Sequence, residues 1–313
     1  MRRSVVCVVL MLGAVLATAQ VVPASPPAVL WLAGDLHLGL APKPVLEPLR
    51  GLLQGVGVLN LEGAVAEHPP RAEGLRLHNH PKALGMLKEL NVAAVGVDNN
   101  HKFDAGRGSW DGTLQHVAGS GLMALAGGGH VARLTVGDTR VVVTQHDLTG
   151  GVPRDLGRDL TAAREKDVLL VALFHVSTPD SYLPPPVLKR ATTAATEAGA
   201  AVVAAHGSHM VGPVVWQGNT LVAYGLGNLA FACDCTREKD AMLLRLHLAA
   251  GELRRVDVVP IQAGLNRQPA KPHPDPAALV ALLGALGSAP MTLQGDHAVV
   301  QRATASAPED PPR

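Results

Sequence analysis

The fold class of this 313-residue chain is decided by residues 200–231, AAVVAAHGSHMVGPVVWQGNTLVAYGLGNLAF. This stretch contains two short apolar runs, residues 200–205 and 221–226, which have the length and composition of buried strands. The first run leads directly into the polar group His206-Gly207-Ser208-His209. Ligands of open α/β sheets gather at the carboxyl ends of the strands. The pattern therefore predicts a binding or catalytic site at the end of a buried strand.

Similar apolar runs recur along the chain, and several of them are separated by helical patterns. The further strand-like runs are residues 29–33, 56–61, 92–97, 141–144 and 168–174. The helical patterns cover residues 81–90, 112–119 and 187–198. This alternation predicts an α/β fold with a mostly parallel sheet. Residues 242–248 and 253–261 predict an antiparallel hairpin, so we expect a mixed architecture with two sheets.

The composition restricts both the core and the partners. Apolar residues make up 47% of the chain and aromatic residues only 3%, so the core must consist mainly of Val, Leu and Ala. The formal net charge is +1, and no long run of Lys or Arg occurs. Proteins that bind nucleic acid carry a basic patch or stripe, so we expect no nucleic-acid partner.

The N-terminus has the pattern of a secretory signal peptide over residues 1–19. Arg2 and Arg3 form a short basic region, residues 5–16 are apolar, and Ala17-Thr18-Ala19 fits the small-residue cleavage pattern. The apolar stretch is shorter than the ~20 residues that span a bilayer. We therefore expect an exported protein, periplasmic or at the cell surface, with no stable membrane span after cleavage. The export route stays open, because the Arg pair matches only the start of a twin-arginine signal.

The rest of the chain divides into three predicted segments. Residues 20–268 form the folded domain, and residues 269–302 form a Pro-rich linker with a C-terminal helix that packs on this domain. Asp275 and Pro276 are suited to begin that helix, predicted over residues 277–286. Residues 303–313 are polar and Pro-rich, which predicts a disordered tail.

Cys233 and Cys235 are the two cysteines outside the predicted signal peptide, and one residue separates them. They are compatible with a local disulfide in an oxidising compartment, with a soft metal, or with two free thiols. Two cysteines fall short of a complete zinc site, so we favour a role in loop structure.

Polar side chains with metal-binding capacity follow five of the predicted strands. These side chains are Asp35, His37, Glu62, Asn100, His101, His175, His206 and His209. Each one alone is typical of a helix cap or a polar strand end. Together they supply carboxylate, amide and imidazole ligands, which suit zinc, manganese and iron. Two such ions ~3.5–4 Å apart clamp a phosphoryl group and activate a water.

Three motifs make the resemblance to a known family specific. They are VLNLEG at residues 58–63, VGVDNNHKFDAGRGSWDGTL at residues 95–114, and the opening stretch at residues 200–231. Their order resembles the poly-gamma-glutamate capsule biosynthesis (CapA-like) family, which is similar in fold to calcineurin-like metallophosphoesterases. The resemblance implies a two-sheet sandwich flanked by helices, with four layers in the order αββα. The chain departs from the family pattern at Gly207-Ser208, where the family usually has His-Pro.

The resemblance also implies a role for each matched residue. The implied metal ligands are Asp35, His37, Glu62, Asn100, His175, His206 and His209. Glu62 would bridge two divalent ions. His101 would be the proton donor or charge stabiliser, and Asp104 and Asn228 would support the residues that contact the ions.

Two functions from different classes remain open at this stage. One is an exported metal-dependent hydrolase that acts on a phosphoester in cell-envelope or capsular polymer metabolism. The other is a non-catalytic envelope protein that binds an anionic polymer during poly-gamma-glutamate synthesis or export. The expected partners are accordingly a phosphoester or anionic polymer and, in the second case, envelope-assembly proteins.

Overall fold

The computed structural model describes residues 28–40, 44–69, 73–178 and 181–302. The predicted signal peptide and the predicted disordered tail lie outside the described residues. The strands are β1 Ala28–His37, β2 Val56–Leu61, β3 Ala64–Val65, β4 His78–Asn79, β5 Val92–Gly96, β6 Met123–Leu125, β7 Ala132–Val136, β8 Thr139–Asp147, β9 Leu169–His175, β10 Val202–His206, β11 Val214–Gln217, β12 Thr220–Ala223, β13 Asn228–Phe231, β14 Asp240–Ala249, β15 Glu252–Gln262, β16 Lys271–Pro272, β17 Met291–Gln294 and β18 His297–Val300.

Helical segments lie between many of these strands. The α-helices are α1 Gly85–Glu89, α2 Trp110–Gly119, α3 Leu156–Ala163, α4 Pro186–Glu197 and α5 Pro276–Ala285. Short 3₁₀ helices cover Glu47–Leu49, Pro81–Leu84 and Arg107–Ser109. In the described part of the chain, no helix combines the length and apolar character that crossing a bilayer requires.

The strands form two large sheets. The ten-stranded sheet has the order β17-β18-β15-β14-β1-β2-β5-β6, with β13 paired to β1 and β16 paired to β15. Strands β1, β2, β5 and β6 run parallel, while β14 and β15 form the predicted antiparallel hairpin. The six-stranded sheet has the order β11-β12-β10-β9-β8-β7, and β8, β9, β10 and β12 run parallel within it. The mixed architecture is therefore confirmed.

Three buried layers of apolar side chains hold the sheets and helices together. Neighbouring residues of a strand point to opposite faces. On β1, Trp31 packs towards α1 and α2, whereas Leu32 packs between the two sheets. On β9, Leu173 faces the other sheet and Phe174 packs against α3 and α4. Helices therefore cover the outer face of each sheet, and the predicted four-layer αββα sandwich is confirmed.

The C-terminal part of the chain adds to the larger sheet. Helix α5 begins where the sequence predicted, because the Asp275 carboxylate accepts a hydrogen bond from the Ala278 amide at 3.0 Å. Leu279 and Leu283 of this helix join the core between the sheets. The hairpin β17–β18 that follows was not predicted. Its first strand is largely exposed and therefore lacks the alternation of apolar and polar residues that indicates a half-buried strand.

Candidate metal centre

The carboxyl ends of parallel strands from both sheets meet at one edge of the sandwich. In the larger sheet, Asp35 on β1 lies opposite Asn60 on β2 and opposite Asn228 on β13. In the smaller sheet, His175 on β9 lies opposite His206 on β10. Because β1, β2, β9 and β10 all end at this edge, the polar residues at their ends are brought into contact across the sandwich.

Four of the predicted site residues form a buried cluster, which comprises Asp35, Glu62, His175 and His206. Each is at most 1% exposed. His206 Nδ1 lies 3.3 Å from Asp35 Oδ1 and 3.0 Å from His175 Nδ1. His175 Nε2 lies 3.6 Å from Glu62 Oε1. The cluster thus joins the carboxylates of one sheet to the imidazoles of the other.

The donor atoms of the buried cluster suit a metal ion. One donor atom each from Asp35, His175 and His206 lies within 4.8 Å of the other two. Among the described residues, His206 Nε2 is buried and has no hydrogen-bond partner. Buried polar atoms are nearly always satisfied, and His206 contacts the Asp35 carboxylate through its other nitrogen, Nδ1, so the unpaired Nε2 fits a site for a cation.

Two further predicted residues, Asn100 and His209, lie at the rim of the cluster, where the structure opens to solvent. Asn100 Oδ1 is 2.8 Å from His175 Nε2. His209 Nδ1 is 3.3 Å from Asp35 Oδ2 and 2.9 Å from Asn228 Oδ1. These contacts bring Asn100 and His209 to the edge of the buried cluster, with Asn228 directly behind His209.

His101 also lies at the rim, and the Asp104 carboxylate contacts the Nδ1 side of its imidazole. His101 Nδ1 is 2.7 Å from Asp104 Oδ2, which also accepts the Leu77 amide at 2.7 Å. Burial alone would raise the pKa of the Asp104 carboxyl, but these hydrogen bonds and nearby positive charge outweigh burial and lower it. Asp104 is therefore an ionised carboxylate that fixes the orientation of His101.

His37 lies beside the buried cluster with both ring nitrogens near other groups. Its Nε2 is 3.1 Å from the His78 carbonyl oxygen, and its Nδ1 is 3.6 Å from Cys233 Sγ. Burial lowers the pKa of His37 to about 4, so its imidazole is neutral. His37 is not one of the three residues whose donor atoms converge within 4.8 Å, and its predicted role as a metal ligand stays a prediction.

The two cysteines form a disulfide in the structure. Of the three alternatives that the sequence left open, the Cys233–Cys235 bond is the one observed. The disulfide follows β13 directly, and the His37 and His209 rings both pack against Phe231, the last residue of that strand. The disulfide loop therefore forms part of the wall beside the cluster.

Asn60 is a site residue to which the sequence analysis gave no role. Its side-chain amide donates to Asp35 Oδ1 at 2.8 Å and to Glu62 Oε2 at 2.5 Å. Its carbonyl oxygen accepts from Gln145 Nε2 at 3.0 Å and from Asn99 Nδ2 at 3.3 Å. Asn60 thereby fixes the separation of the two carboxylates. A signal was present, since it is the one polar residue in the apolar run VGVLNL.

Gly207 shapes the turn between the two histidines of the opening motif. Its φ of +94° is in the left-handed region, and its amide donates to Asp35 Oδ2 at 2.8 Å. A Cβ at this position would lie 2.6 Å from His175 Cε1. His209 itself has a φ of +61°, which is unusual for a residue with a side chain. The turn therefore has a strained backbone, and this conformation places both histidines beside Asp35.

The electrostatics of the buried cluster favour a bound cation. Burial would raise the pKa of Asp35, but hydrogen bonds and charges from His206 and His209 outweigh burial and hold it well below the usual value. Burial and the negative charge of Asp35 raise the pKa of Glu62 well above its usual value. Burial, aided by His206, lowers the pKa of His175 to about 3. A divalent cation would let Glu62 ionise beside Asp35.

A family model matches most of the chain. Residues 9–233 match the family described as bacterial capsule synthesis protein PGA_cap, which covers well over half of the chain. The chain belongs to this family. The match within this PGA_cap member contains every residue of the buried cluster and ends at Cys233. Strands β14 to β18 and helix α5 lie outside it.

One curated relative and two solved structures are similar to this PGA_cap protein. The PGA biosynthesis protein CapA of Bacillus subtilis (strain 168) is 24% identical over 210 residues, which cover 60% of this chain and 55% of the relative. A hypothetical protein from Thermus thermophilus aligns with a TM-score of 0.48 and 16% identity, over 75% of this chain and 99% of that one. A putative 5'-nucleotidase from Staphylococcus aureus, in complex with alpha-ketoglutarate, aligns with a TM-score of 0.45 and 12% identity, over 82% and 58% of the two chains. The chain thus spans little more than half of the length of its curated relative.

Proposed function

We propose that this chain is an exported metal-dependent hydrolase that cleaves a phosphoester or related bond in cell-envelope or capsular polymer metabolism. The observation that carries the proposal is the buried cluster, in which donor atoms of Asp35, His175 and His206 converge, Glu62 Oε1 lies 3.6 Å from His175 Nε2, and His206 Nε2 lacks a partner among the described residues. An unpaired buried polar group costs about 1–3 kcal/mol, and a cation bound by this nitrogen would remove that cost.

The residues that would hold the ions are those of the buried cluster together with Asn100 and His209 at its rim. Glu62 and Asp35 would share the positive charge, since Asn60 keeps their oxygens close to one amide nitrogen. When bound, a divalent ion or an ion pair would activate a water and stabilise negative charge on a phosphoryl group. Membership of the PGA_cap family supports an envelope or capsular polymer as the source of the substrate.

His101 is the residue that we assign to proton transfer. It stands at the rim, and Asp104 holds its Nδ1 at 2.7 Å, which leaves Nε2 available to a substrate. A fixed imidazole of this kind can donate a proton to a leaving oxygen or stabilise the charge that develops on it. Asp104 acts through His101 and needs no contact with the substrate.

Export is part of the proposal, and the Cys233–Cys235 disulfide supports it. Disulfides persist in oxidising compartments such as the periplasm and the cell surface and are rare in the cytosol. The basic and apolar N-terminal pattern predicts the same destination.

The test begins with the metal content of the purified exported protein. We expect bound manganese, iron or zinc, and turnover of p-nitrophenyl phosphate or bis-p-nitrophenyl phosphate when manganese or zinc is added. A protein that binds none of these metals would contradict both the site and the enzyme proposal. Bound metal without turnover of either ester would instead favour the second candidate, a non-catalytic protein that holds an anionic polymer together with envelope-assembly partners. The family match to capsule synthesis is the observation that favours this second candidate.

A further inference from the structure

The loop that follows β5 spans residues 97–104 and is held by both sheets. Asn99 Nδ2 donates to Asn60 Oδ1 of the ten-stranded sheet at 3.3 Å. Asn100 Oδ1 lies 2.8 Å from His175 Nε2 of the six-stranded sheet. The position of this loop, which we call the β5 loop, therefore sets how Asn100 and the histidine next to it face the buried cluster.

A lysine joins the β5 loop to the end of β8. Lys102 Nζ lies 2.7 Å from Asp98 Oδ1 and 3.0 Å from Asp147 Oδ2. Asp98 belongs to the same loop, whereas Asp147 is the last residue of β8 and lies opposite His175 on β9. Asp98 Oδ2 also accepts the Asp147 amide at 3.1 Å. These three side chains, which we call the lysine bridge, therefore connect the loop to the strand beside the one that carries His175.

The lysine bridge is better shielded from solvent than the other ion pairs of Lys and Arg. The side chains of Lys102, Asp98 and Asp147 are 21%, 15% and 12% exposed. In every other ion pair of a Lys or Arg in the described part of the chain, the cation is at least 40% exposed. Exposed ion pairs contribute little because water and salt screen them, whereas a shielded and hydrogen-bonded pair holds its geometry more firmly. The bridge is therefore suited to fix the loop.

The two carboxylates of the bridge depend on this one ammonium group. Within the described ranges, neither Asp98 nor Asp147 forms an ion pair with any other Lys, Arg or His. Loss of the ammonium would leave two negative charges close together, and they would repel each other. Because one carboxylate belongs to the β5 loop and the other to β8, the repulsion would separate the loop from the six-stranded sheet. Asn100 would then move away from His175.

We propose that Lys102 is a positioning residue of the candidate metal centre. Through the lysine bridge it fixes the β5 loop, and the loop in turn holds Asn100 and His101 beside the buried cluster. The proposal deepens the proposed function and rests on its metal site, since it assigns a further residue to that site. Lys102 acts through these two residues and needs no contact with the ion or the substrate.

Two substitutions separate the charge of Lys102 from its length. Lys102→Met keeps a long side chain without the charge, and Lys102→Arg keeps the charge. The matched control is Lys166→Met, which changes an exposed lysine in the loop before β9, at the edge of the sandwich opposite to the candidate metal centre. All three variants are made in the full-length exported protein, and their melting temperatures are compared with that of the wild type.

Hydrogen exchange of the metal-free protein measures the order of the loop directly. Within the β5 loop, the amides of Lys102 and Asp104 donate to the carbonyl oxygens of Asn99 and His101 at 3.1 and 3.0 Å. We expect the amides of this loop to exchange about tenfold or more faster in Lys102→Met than in the wild type, with the rest of the chain unchanged. Lys102→Arg should recover most of the protection, and Lys166→Met should match the wild type.

Metal affinity and kinetics test the consequence for the site. In Lys102→Met we expect the affinity for manganese or zinc, measured by competition with a chelator, to fall about tenfold or more. At saturating metal, kcat for p-nitrophenyl phosphate or bis-p-nitrophenyl phosphate should also fall about tenfold or more, with KM within about twofold of the wild type. The reason is that a displaced His101 impairs proton transfer more than substrate binding. Lys102→Arg should recover most of both losses.

The outcomes distinguish this proposal from the proposed hydrolase activity. Loop exchange and metal affinity that are unchanged in Lys102→Met overturn the positioning role, whether or not the wild type turns over an ester. A rise in exchange over the whole chain with a lowered melting temperature also overturns it, because Lys102 would then serve global stability. If loop exchange and metal affinity change as expected but the wild type turns over neither ester, the positioning role stands and the hydrolase proposal fails.

Discussion

Two clusters of histidine and carboxylate side chains in the described part of the chain can be compared, because they differ in how their charge is balanced. The first is the buried cluster at the strand ends. The second, which we call the arginine cluster, lies on the C-terminal strands and consists of Arg255, Asp257, His247 and His297. Asp257 Oδ2 lies 2.7 Å from His247 Nε2, and Asp257 Oδ1 lies 2.6 Å from Arg255 Nε. Arg255 Nη2 also lies 2.7 Å from His297 Nε2.

The difference shows what separates a candidate metal site from a structural ion pair. In the arginine cluster the guanidinium supplies the positive charge beside the carboxylate. In the buried cluster the carboxylates face imidazoles and one amide, and His206 Nε2 is unpaired among the described residues. The protein itself neutralises the first arrangement with a guanidinium, whereas the second has the ligand types of a cation site.

The largest expected effect comes from Glu62→Ala. This change should abolish metal binding and turnover together, because it removes a negative charge that lets two cations lie close to each other. His175→Ala should weaken the binding of only one of the two ions. Metal stoichiometry by elemental analysis, measured beside turnover, checks both changes, and Glu47→Ala, an exposed surface glutamate, is the matched control. Equal stoichiometry in the wild type and both site variants would contradict the assignment.

The next effect concerns His101→Ala, which separates catalysis from metal binding. We expect the metals to remain and turnover to fall about a hundredfold or more, the usual scale for removing a positioned acid or charge stabiliser. If His101 only stabilises its loop, the loss is instead about 1 kcal/mol of stability with turnover nearly intact. Turnover, metal content and melting temperature distinguish these outcomes. The exposed His130→Ala is the control.

Asn60→Ala tests whether the spacing of the two carboxylates matters. The change removes the amide that donates to both Asp35 and Glu62, and it leaves the side-chain amides of Asn99 and Gln145 without their shared acceptor. We expect metal affinity to fall about 10–100-fold, the range for residues that orient ligands without binding the ion. Competition with a chelator measures the affinity. An unchanged affinity would show that the carboxylates keep their spacing without Asn60.

The smallest effect on function is expected from the arginine cluster. Burial would raise the pKa of Asp257, but hydrogen bonds from His247 and Arg255 outweigh burial and lower it below its ordinary value of 3.8. The stability that Asp257 contributes is therefore fully present above that value and is lost as the pH falls through the lowered pKa. Asp257→Asn should lower the unfolding free energy by roughly 1–3 kcal/mol at neutral pH. The variant should also lose less stability than the wild type as the pH falls, and its metal content should be unchanged. Urea unfolding between neutral and acidic pH measures this, and a change in metal content would argue against separate roles for the two clusters.

The sequence predicted the parts of the fold that are encoded locally. Strand β2 has the predicted bounds, and α5 begins beside its predicted Asp275 cap, because an apolar run and a capping residue act over a few neighbours. The hairpin β17–β18 was missed since most of β17 faces solvent. Strand β13 was missed because its four residues follow a glycine-rich turn and are buried by pairing with β1, which starts 200 residues earlier in the chain.

The same distinction applies to the candidate site. Side chains at strand ends could be found from the sequence, because parallel strands of one sheet end at the same edge. The neighbours of each ring could not be found. His37 lies against the carbonyl of His78, which comes from a strand 41 residues later, and no local pattern encodes that contact. Asn60 is likewise defined by partners from three separate strand ends and loops.

Strand β1 is the first element of the described chain. Its residue Asp35 is contacted by a residue from the last part of the matched family segment. Asp35 accepts the amide of Gly207, which lies 172 positions later, and β1 pairs with β13 and β14. Contacts of such long sequence separation form late in folding. If the chain is exported unfolded, as one form of our proposal has it, it would complete its cluster outside the cytoplasm and take its ion from the pool there, whereas a chain exported folded would take it from the cytoplasmic pool. Since availability decides much of metal selectivity in cells, the topology of β1 would tie the identity of the proposed ion to the place where the chain folds.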